Sequence, residues 1–310
     1  MKLKKHGFFY ELNKNKVLFL MAMPSMLLTF FLAYLPMSGL VLAFKNFRYD
    51  KGIFGSAWNG FDNFAYLFQS GTGWEITRNT ILYNLLNLIT SQFLAVIVAI
   101  IISEMMGRLY KKFVQSVIFL PYFISWVIVG IFAFNIFNYE TGLMNNILRL
   151  LGKDPVNLYM TEMGWAWVII ICLFNSWKWT GYNSIIYIAA ITSLDAECYE
   201  AADIDGANIF QKIWYITFPG IKGTLVTMIL LQIGRILRGD FEMFYQLIGS
   251  NGQLYKATDV IDTYVFRSLM TSANLGMTAA ASFYQSALCF IIIVVVNQVV
   301  KKIEEDYALF

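Results

Sequence analysis

Charged residues are scarce in this 310-residue chain, because Asp, Glu, Lys and Arg together make up only 14% of it. Soluble domains carry roughly 25%. Hydrophobic residues reach 58%, and the mean hydropathy is +0.58. This composition excludes an ordinary soluble domain and predicts an all-α, polytopic membrane protein. The net charge of +3 is too small and too scattered for a nucleic-acid-binding surface.

Cysteine and histidine are rarer still, which excludes several kinds of site. Cys172, Cys198 and Cys289 stand far apart, so the sequence predicts neither a disulfide framework nor a metal site. The single histidine, His6, lies near the N-terminus, which makes histidine-based catalysis improbable. No G-x-x-x-x-G-K-[ST] segment is present to hold the phosphates of ATP. We therefore predict no catalytic residues, no metal and no cofactor in this chain.

Long apolar segments are abundant instead. A helix needs about 20 mostly apolar residues to cross a bilayer. Six segments meet this length: about 17–44, 80–104, 113–137, 164–191, 223–243 and 276–300. The first is too long for a signal-peptide core, so we expect it to be retained as a membrane helix. Pro24 and Pro36 within it predict a kink or a broken end.

The distribution of Lys and Arg predicts the orientation of these helices. If the N-terminus is cytoplasmic, the inner segments carry 12 basic residues in 65 positions and the outer segments carry 8 in 93. The inner segments are 1–16, 105–112, 192–222 and 301–310. We therefore expect cytoplasmic tails over 1–16 and 301–310, with one membrane domain over 17–300. Residues 5–16 fit an interfacial helix and an ordinary basic tail equally well.

The inner segment 192–222 is polar and acidic, in contrast to its surroundings. Ser193, with acidic residues after it, is typical of a capped helix start. Gly206 can adopt a positive φ and so end that helix. We expect a second short helix over about 208–216 that stops at Pro219, so that the two helices form a compact knob at a glycine elbow.

The spacing within this segment resembles a known motif. Glu200-Ala201-Ala202 is followed after two residues by Asp205-Gly206, and nine residues later comes a run that ends in Phe218-Pro219. The EAA loop of membrane subunits of ATP-binding-cassette importers has the pattern E-A-A, two residues, D-G, nine residues, I-x-L-P. Only Phe218 departs from it, in place of Leu. The resemblance implies that a separate cytoplasmic ATPase grips this loop. The residues concerned are Glu200, Ala201, Ala202, Asp203, Asp205, Gly206, Ile216, Phe218 and Pro219.

Further patches resemble the maltose-type carbohydrate permeases, and most of all the branch assigned to oligosaccharides and polysaccharides. These patches are Ala43–Phe47, Gly55–Trp58, Asn63-Phe64, Arg78–Thr80, Leu120–Trp126 and Asp259–Tyr264. The narrowest resemblance is to the first permease of streptococcal importers of host N-glycans. The resemblance covers nearly the whole chain and implies the six-helix fold of a type I importer permease.

The resemblance also implies partners. They are a second permease that completes the pore, an ATPase dimer that binds ATP and magnesium, an extracellular solute-binding lipoprotein, an oligosaccharide, and the lipid of a bacterial plasma membrane. A permease for another solute, such as a peptide or an amino acid, stays open as an alternative. An ATP-independent secondary transporter or channel is disfavoured by the EAA spacing and by the absence of an inverted repeat. A membrane-embedded enzyme is disfavoured because no catalytic constellation is present.

Polar and aromatic residues inside the apolar segments are candidates for the substrate path, since charge in a bilayer is costly. The candidates are Trp177, Lys178, Trp179, Tyr182, Asn183, Arg235, Arg238, Asp240 and Glu242. They could bind sugar hydroxyls and the apolar faces of sugar rings. They could equally be interfacial anchors and self-satisfied pairs. In particular, Arg238 and Glu242 could pair if the helix continues through them.

Overall fold

The computed structural model describes residues 10, 13–272 and 274–303, which fold almost entirely into helices. The helices are α1 (Lys16–Thr29), α2 (Gly52–Gly55), α3 (Asp62–Gln69), α4 (Thr72–Glu104), α5 (Arg108–Phe119), α6 (Trp126–Phe137), α7 (Leu143–Leu150), α8 (Gly164–Thr192), α9 (Ala196–Ile204), α10 (Ile209–Lys212), α11 (Phe218–Ile233), α12 (Phe241–Ile248), α13 (Tyr255–Thr258), α14 (Ile261–Ser272) and α15 (Leu275–Ile303). Two short strands, β1 (Lys45–Asn46) and β2 (Ala57–Trp58), pair antiparallel. His6 and most of both predicted tails lie outside the described residues.

Four helical segments of the described chain are long and apolar enough to cross a membrane. They are Lys16–Phe44, Thr72–Glu104, Ile209–Ile233 and Leu275–Lys302. The predicted span 113–137 is instead a pair of helices bent by 89°, which makes five if the pair is one span. The predicted span 164–191 forms the 29-residue α8 but is not among the apolar segments, because its middle is polar. The prediction of six membrane-spanning helices is therefore not confirmed.

The prolines of the first segment change its helical pitch. α1 contains Pro24 and is followed by a π-helical turn, Phe30–Tyr34. A 3₁₀ segment, Leu35–Phe44, then carries Pro36 in its first turn. A proline lacks the N–H of a regular turn, so turns of other pitch next to it relieve the clash. The whole segment remains a helix where the sequence predicted a kink or a broken end.

The core lies between α4 and α8, which pack along most of their length. One apolar cluster joins Tyr83 of α4 to Trp167 of α8 and Phe244 of α12. A second joins Ala99 of α4 to Tyr187 of α8. Tyr187 also donates a 2.5 Å hydrogen bond to Gln92 Oε1 across this interface. Apolar contacts and buried polar pairs together fix α8, the helix that carries most of the candidate path residues.

Several sequence patches that resemble the carbohydrate permeases tie the loops together. Lys45 Nζ donates to the carbonyls of Ile53 (3.1 Å) and Phe54 (2.7 Å) beside the strand pair. Asn63 Nδ2 donates to the carbonyl of Ala43 at 2.9 Å. Asn79 Nδ2 donates to the carbonyl of Asp259 at 3.0 Å. These side chains satisfy buried backbone groups, so their contribution is to hold the loop structure.

Candidate functional site

The segment predicted to couple to an ATPase, residues 192–222, is called the coupling loop below, and its first helix is α9. Asp195 caps this helix, since its Oδ1 accepts a hydrogen bond from Glu197 N at 3.0 Å. The prediction that Ser193 supplies the cap is wrong, because its hydroxyl donates to the Ala190 carbonyl at 2.7 Å and so extends the end of α8. A carboxylate at this position also complements the positive end of the helix dipole.

Gly206 ends α9 with a φ of +75°, as the sequence predicted. The N–H of Ala207 donates to the carbonyl of Ala202 at 2.9 Å, and the N–H of Gly206 donates to the carbonyl of Asp203 at 3.2 Å. This is the Schellman pattern, which needs a left-handed residue that glycine supplies without a Cβ penalty. Asp205 is the exposed last residue before the turn.

The second helix of the loop differs from the predicted one. Asn208 and Gln211 form a reciprocal capping box that starts α10, with bonds of 2.7 and 2.9 Å. A π-helical turn, Ile213–Thr217, leads directly into α11. Helical backbone therefore runs from Ile209 to Ile233, and Pro219 lies inside it instead of ending it. The wide π turn accommodates a proline that an α-helical turn would exclude.

Side chains bind the two arms of the loop to each other. Lys212 Nζ pairs with Asp203 Oδ1 at 2.7 Å, and the hydroxyls of Tyr199 and Thr217 lie 2.9 Å apart. Glu200 is exposed, and its side chain makes no hydrogen bond with another described residue. The exposed apolar side chains beside it include Ile204 (87%) and Phe210 (78%). A rigid body with exposed acids and an exposed apolar face is suited to docking a protein partner.

The motif residues divide between an exposed surface and an inner support. Ala201, Phe218 and Pro219 are exposed, while Ala202 and Ile216 are half-buried. Phe218, where the family motif has Leu, packs its ring 5.6 Å from that of Trp214. The aromatic residue therefore keeps an apolar contact at this place in the loop.

Lys178 is buried, with 6% exposure, at a break in the bent helix pair. The break spans 120–125, between α5 and α6, where a 3₁₀ turn over Leu120–Phe123 ends and leaves its last carbonyls without intrahelical partners. Lys178 Nζ donates to the carbonyls of Tyr122, at 3.1 Å, and of Ile124. It also lies 5.3 Å from the centre of the Trp126 ring. The ammonium thus joins α8 to the break.

Asp240 lies next to this arrangement. Its Oδ2 accepts from Trp126 Nε1 at 2.9 Å, and its Oδ1 accepts from Met243 N at 3.2 Å at the start of α12. The predicted pair of Arg238 with Glu242 does not form, because the helix ends at Ile233 and a new helix begins at Phe241. Both side chains are exposed, and no ion pair joins them among the described residues.

An aromatic cluster covers the break on the side of α8. It consists of Phe119, Tyr122, Phe123, Trp179 and Tyr182. Tyr122 and Tyr182 are stacked at 4.6 Å between ring centres, with 18° between their planes. Gly181 permits the approach, because a Cβ there would lie 2.1 Å from the Ile118 carbonyl oxygen. Trp179 and Tyr182 were predicted for the substrate path, but Tyr122 was not, although it lies in the Leu120–Trp126 patch.

The remaining candidates are not part of this cluster. Trp177 points into an apolar groove with Phe132 and Leu173. Arg235 is exposed beyond the end of α11. Asn183 is buried, with 5% exposure, on the same helix as Tyr182. Across the described residues, no three Asp, Glu, His or Cys side chains come together as metal ligands.

Known proteins are similar to this chain in sequence and in fold. Residues 93–305 match the family described as "Binding-protein-dependent transport system inner membrane component". The chain is 32% identical to the polygalacturonan/rhamnogalacturonan transport system permease protein YteP of Bacillus subtilis, over 98% of this chain and 93% of that one. It is 31% identical to the protein LplB of the same organism, over 95% of this chain and 92% of that one.

Solved structures agree with these relatives. A chain of a bacterial alginate ABC transporter, in complex with an alginate pentasaccharide-bound periplasmic protein, superposes with a TM-score of 0.84. The two chains are 31% identical, and the match covers 96% of this chain and 98% of that one. Family, relatives and fold therefore point the same way. This chain is a multi-pass membrane protein that belongs to the family of inner membrane components of binding-protein-dependent transport systems.

Proposed function

We propose that this chain forms half of the translocation pore of an ATP-driven oligosaccharide importer, and that the coupling loop receives the force of a partner ATPase. The geometry of the loop carries the proposal. A glycine turn and an ion pair lock α9 to α10, and a hydroxyl pair locks α9 to the π-helical turn, while exposed acidic and apolar side chains face outwards. Such a body can transmit a movement without deforming.

The continuity of Ile209–Ile233 gives the movement a route to the pore. At 1.5 Å per residue, these 25 residues extend roughly 37 Å, which exceeds a hydrocarbon core of about 30 Å. A partner that displaces α10 would therefore displace the membrane part of the same helix. ATP binding in the partner would draw two coupling loops together and shift the pore from inward- to outward-facing. The ligand of one subunit then biases a two-state element in another.

The comparisons support the partners that we propose. The family description names a binding protein, and one solved relative was captured with a sugar-bound periplasmic protein. We propose a solute-binding lipoprotein on the outer face, a second permease that completes the pore, and an ATPase dimer on the cytoplasmic face. The chain holds no phosphate-binding motif, so hydrolysis would take place in that dimer.

The substrate proposal rests on the aromatic cluster and on the relatives, several of which are named for transport of oligo- or polysaccharides. Stacked tyrosines beside buried amide and charged groups suit sugars, which present apolar faces edged by hydroxyls. The identity of the oligosaccharide stays a prediction, and the most specific candidate is a host N-glycan. A peptide or amino-acid permease would not need the aromatic cluster, and a secondary transporter would not need the coupling loop.

The first prediction concerns orientation. Cys198 lies exposed on α9, whereas Cys172 and Cys289 are half-buried. With the latter two changed to Ser, we expect an impermeant thiol reagent to spare Cys198 in intact cells and to label it in inverted vesicles. A chain whose only cysteine is introduced as Lys153→Cys, on the predicted outer face, should show the opposite pattern. Labelling of Cys198 from outside would contradict the cytoplasmic position of the coupling loop.

A second prediction concerns the substrate path. Tyr182→Leu removes a stacked ring that is 39% exposed, and an aromatic pair contributes roughly 0.5–1.5 kcal/mol. We expect the KM for sugar uptake to rise about two- to twelvefold with little change in the amount of protein. Trp177→Leu is the matched control, because Trp177 is similarly exposed, at 43%, but faces the apolar groove. An equal effect of both changes would show that ring loss acts through stability alone.

A further inference from the structure

The Asp259–Tyr264 patch forms one side of a cavity that the proposed pore function does not use. The cavity measures about 260 Å³ and lies between α12 and α14. We call it the outer pocket. The span Ile209–Ile233 separates it in the chain from the coupling loop, so we expect it on the opposite face of the membrane. Its size is slightly below the ~300–1,000 Å³ of pockets for drug-sized ligands, which suits a single sugar ring.

One wall of the outer pocket is aromatic. The rings of Tyr245 and Phe266 lie 5.2 Å apart, with 73° between their planes, and form a corner. Phe241 supports both rings from behind, at 5.3 and 4.8 Å. Tyr245 is 39% exposed, and its hydroxyl makes no hydrogen bond with another described residue. An aromatic corner with a free hydroxyl can stack against a sugar ring and bond to one of its hydroxyls.

The other wall is a neutralised ion pair. Arg267 binds Asp259 through two parallel hydrogen bonds, one of them 3.0 Å long, and Asp259 is only 6% exposed. Thr263 also donates to Asp259 at 2.7 Å, and the guanidinium lies 3.9 Å from the centre of the Tyr255 ring. This bidentate geometry satisfies both charges. The wall therefore offers hydrogen-bonding edges without a surplus charge.

We propose that the outer pocket is a binding subsite for one neutral pyranose unit, and that the Asp259–Arg267 pair makes it discriminate against uronic acids. A carboxylate would need a free cation, and the guanidinium that lines the pocket is already engaged. The inference rests on the proposed function, because a sugar at the outer face matters only if the chain transports sugars. It contrasts with a solved relative named for import of the acidic polysaccharide alginate.

The test uses methyl galactoside and galacturonate, two pyranoses that differ in charge at C6. The full chain, co-expressed with its second permease and ATPase, is placed in nanodiscs and probed by saturation-transfer-difference NMR. We expect transfer to methyl galactoside and at least fivefold less to galacturonate. Tyr245→Ala should remove most of the transfer to the galactoside. Tyr139→Ala should not, although Tyr139 is a tyrosine of similar exposure, 41%, on the same predicted face.

Asp259→Asn is expected to strengthen galacturonate binding, which loss of a purely structural ion pair would not do. It keeps a hydrogen-bond acceptor for Thr263 but leaves the guanidinium of Arg267 without a counter-charge and without its bond to Oδ2. We expect the ratio of galacturonate to galactoside binding to rise about tenfold, as a charge-assisted pair replaces a neutral contact. If that variant does not assemble, Tyr245→Ala and Phe266→Leu still test the aromatic wall.

Three results would overturn the subsite. The first is that neither sugar shows saturation transfer, and the second is that both show equal transfer. The third is that Tyr245→Ala weakens docking of the binding protein but leaves the sugar signal unchanged. The last would identify the pocket as a protein contact. ATP-dependent uptake by the unmodified complex is measured in parallel. Uptake without a subsite signal refutes only the subsite, whereas loss of all ATP-dependent sugar uptake refutes the proposed function.

Discussion

Gly206→Val is expected to abolish ATPase association and sugar uptake while the membrane helices remain inserted. The residue holds φ at +75°, and a β-branched side chain in that region costs roughly 1–2 kcal/mol. No atom of the described residues lies within 4 Å of a Cβ at this position, so the strain is in the backbone. Relief of the strain would open the Schellman turn and separate α9 from α10. The measurements are pull-down of the ATPase, uptake, and binding-protein-stimulated ATP hydrolysis in liposomes.

Gly152→Val is the matched control. Gly152 also has a positive φ, of +69°, and no described atom within 4 Å of an added Cβ, but it lies in the loop after α7 on the predicted outer face. It should carry the same backbone penalty and leave ATPase association unchanged. Glu200→Ala is expected to do less to association and more to coupling, because it removes one exposed charge from the docking surface.

The two glycine variants together test whether residues 200–219 are the coupling element. Equal loss of uptake in both would mean that general destabilisation, and not the coupling turn, is responsible. Full ATPase association and full uptake with Gly206→Val would refute residues 200–219 as the coupling element.

Lys178→Met is expected to destabilise the whole chain. Methionine fills a similar volume but donates no hydrogen bond, so the carbonyls of Tyr122 and Ile124 lose a shared donor. Each unpaired buried carbonyl costs roughly 1–3 kcal/mol. At about 2–4 °C for each kcal/mol, the Tm of the purified protein should fall by several degrees. The yield of monodisperse protein should fall as well, because the break at 120–125 would no longer be fastened to α8.

Lys153→Leu is the control for loss of a lysine, since Lys153 is exposed. It should leave Tm unchanged. An unchanged Tm for Lys178→Met together with impaired uptake would contradict the structural assignment. That result would return the ammonium to the substrate path, where the sequence had placed it.

The sequence by itself determined the class of the protein and the position of the turn at Gly206. Apolar segments of bilayer length predict membrane helices, since within one segment only a helix satisfies all backbone hydrogen bonds in lipid. Gly206 after a capped helical segment predicted a turn, because glycine tolerates a positive φ and the local hydrogen bonds of such a turn depend on nearby residues alone. Such short-range chemistry is visible in a linear sequence.

Only the tertiary structure decided which polar residues support the fold. Lys178 bonds to a helix break more than fifty residues away, and the hydrogen bond from Trp126 to Asp240 joins residues 114 positions apart in the chain. The expected Arg238–Glu242 pair assumed a continuous helix, whereas the backbone breaks after Ile233 and restarts at Phe241. Contacts between distant segments follow from how helices pack. Helical periodicity does not predict which residue of another helix a side chain will contact.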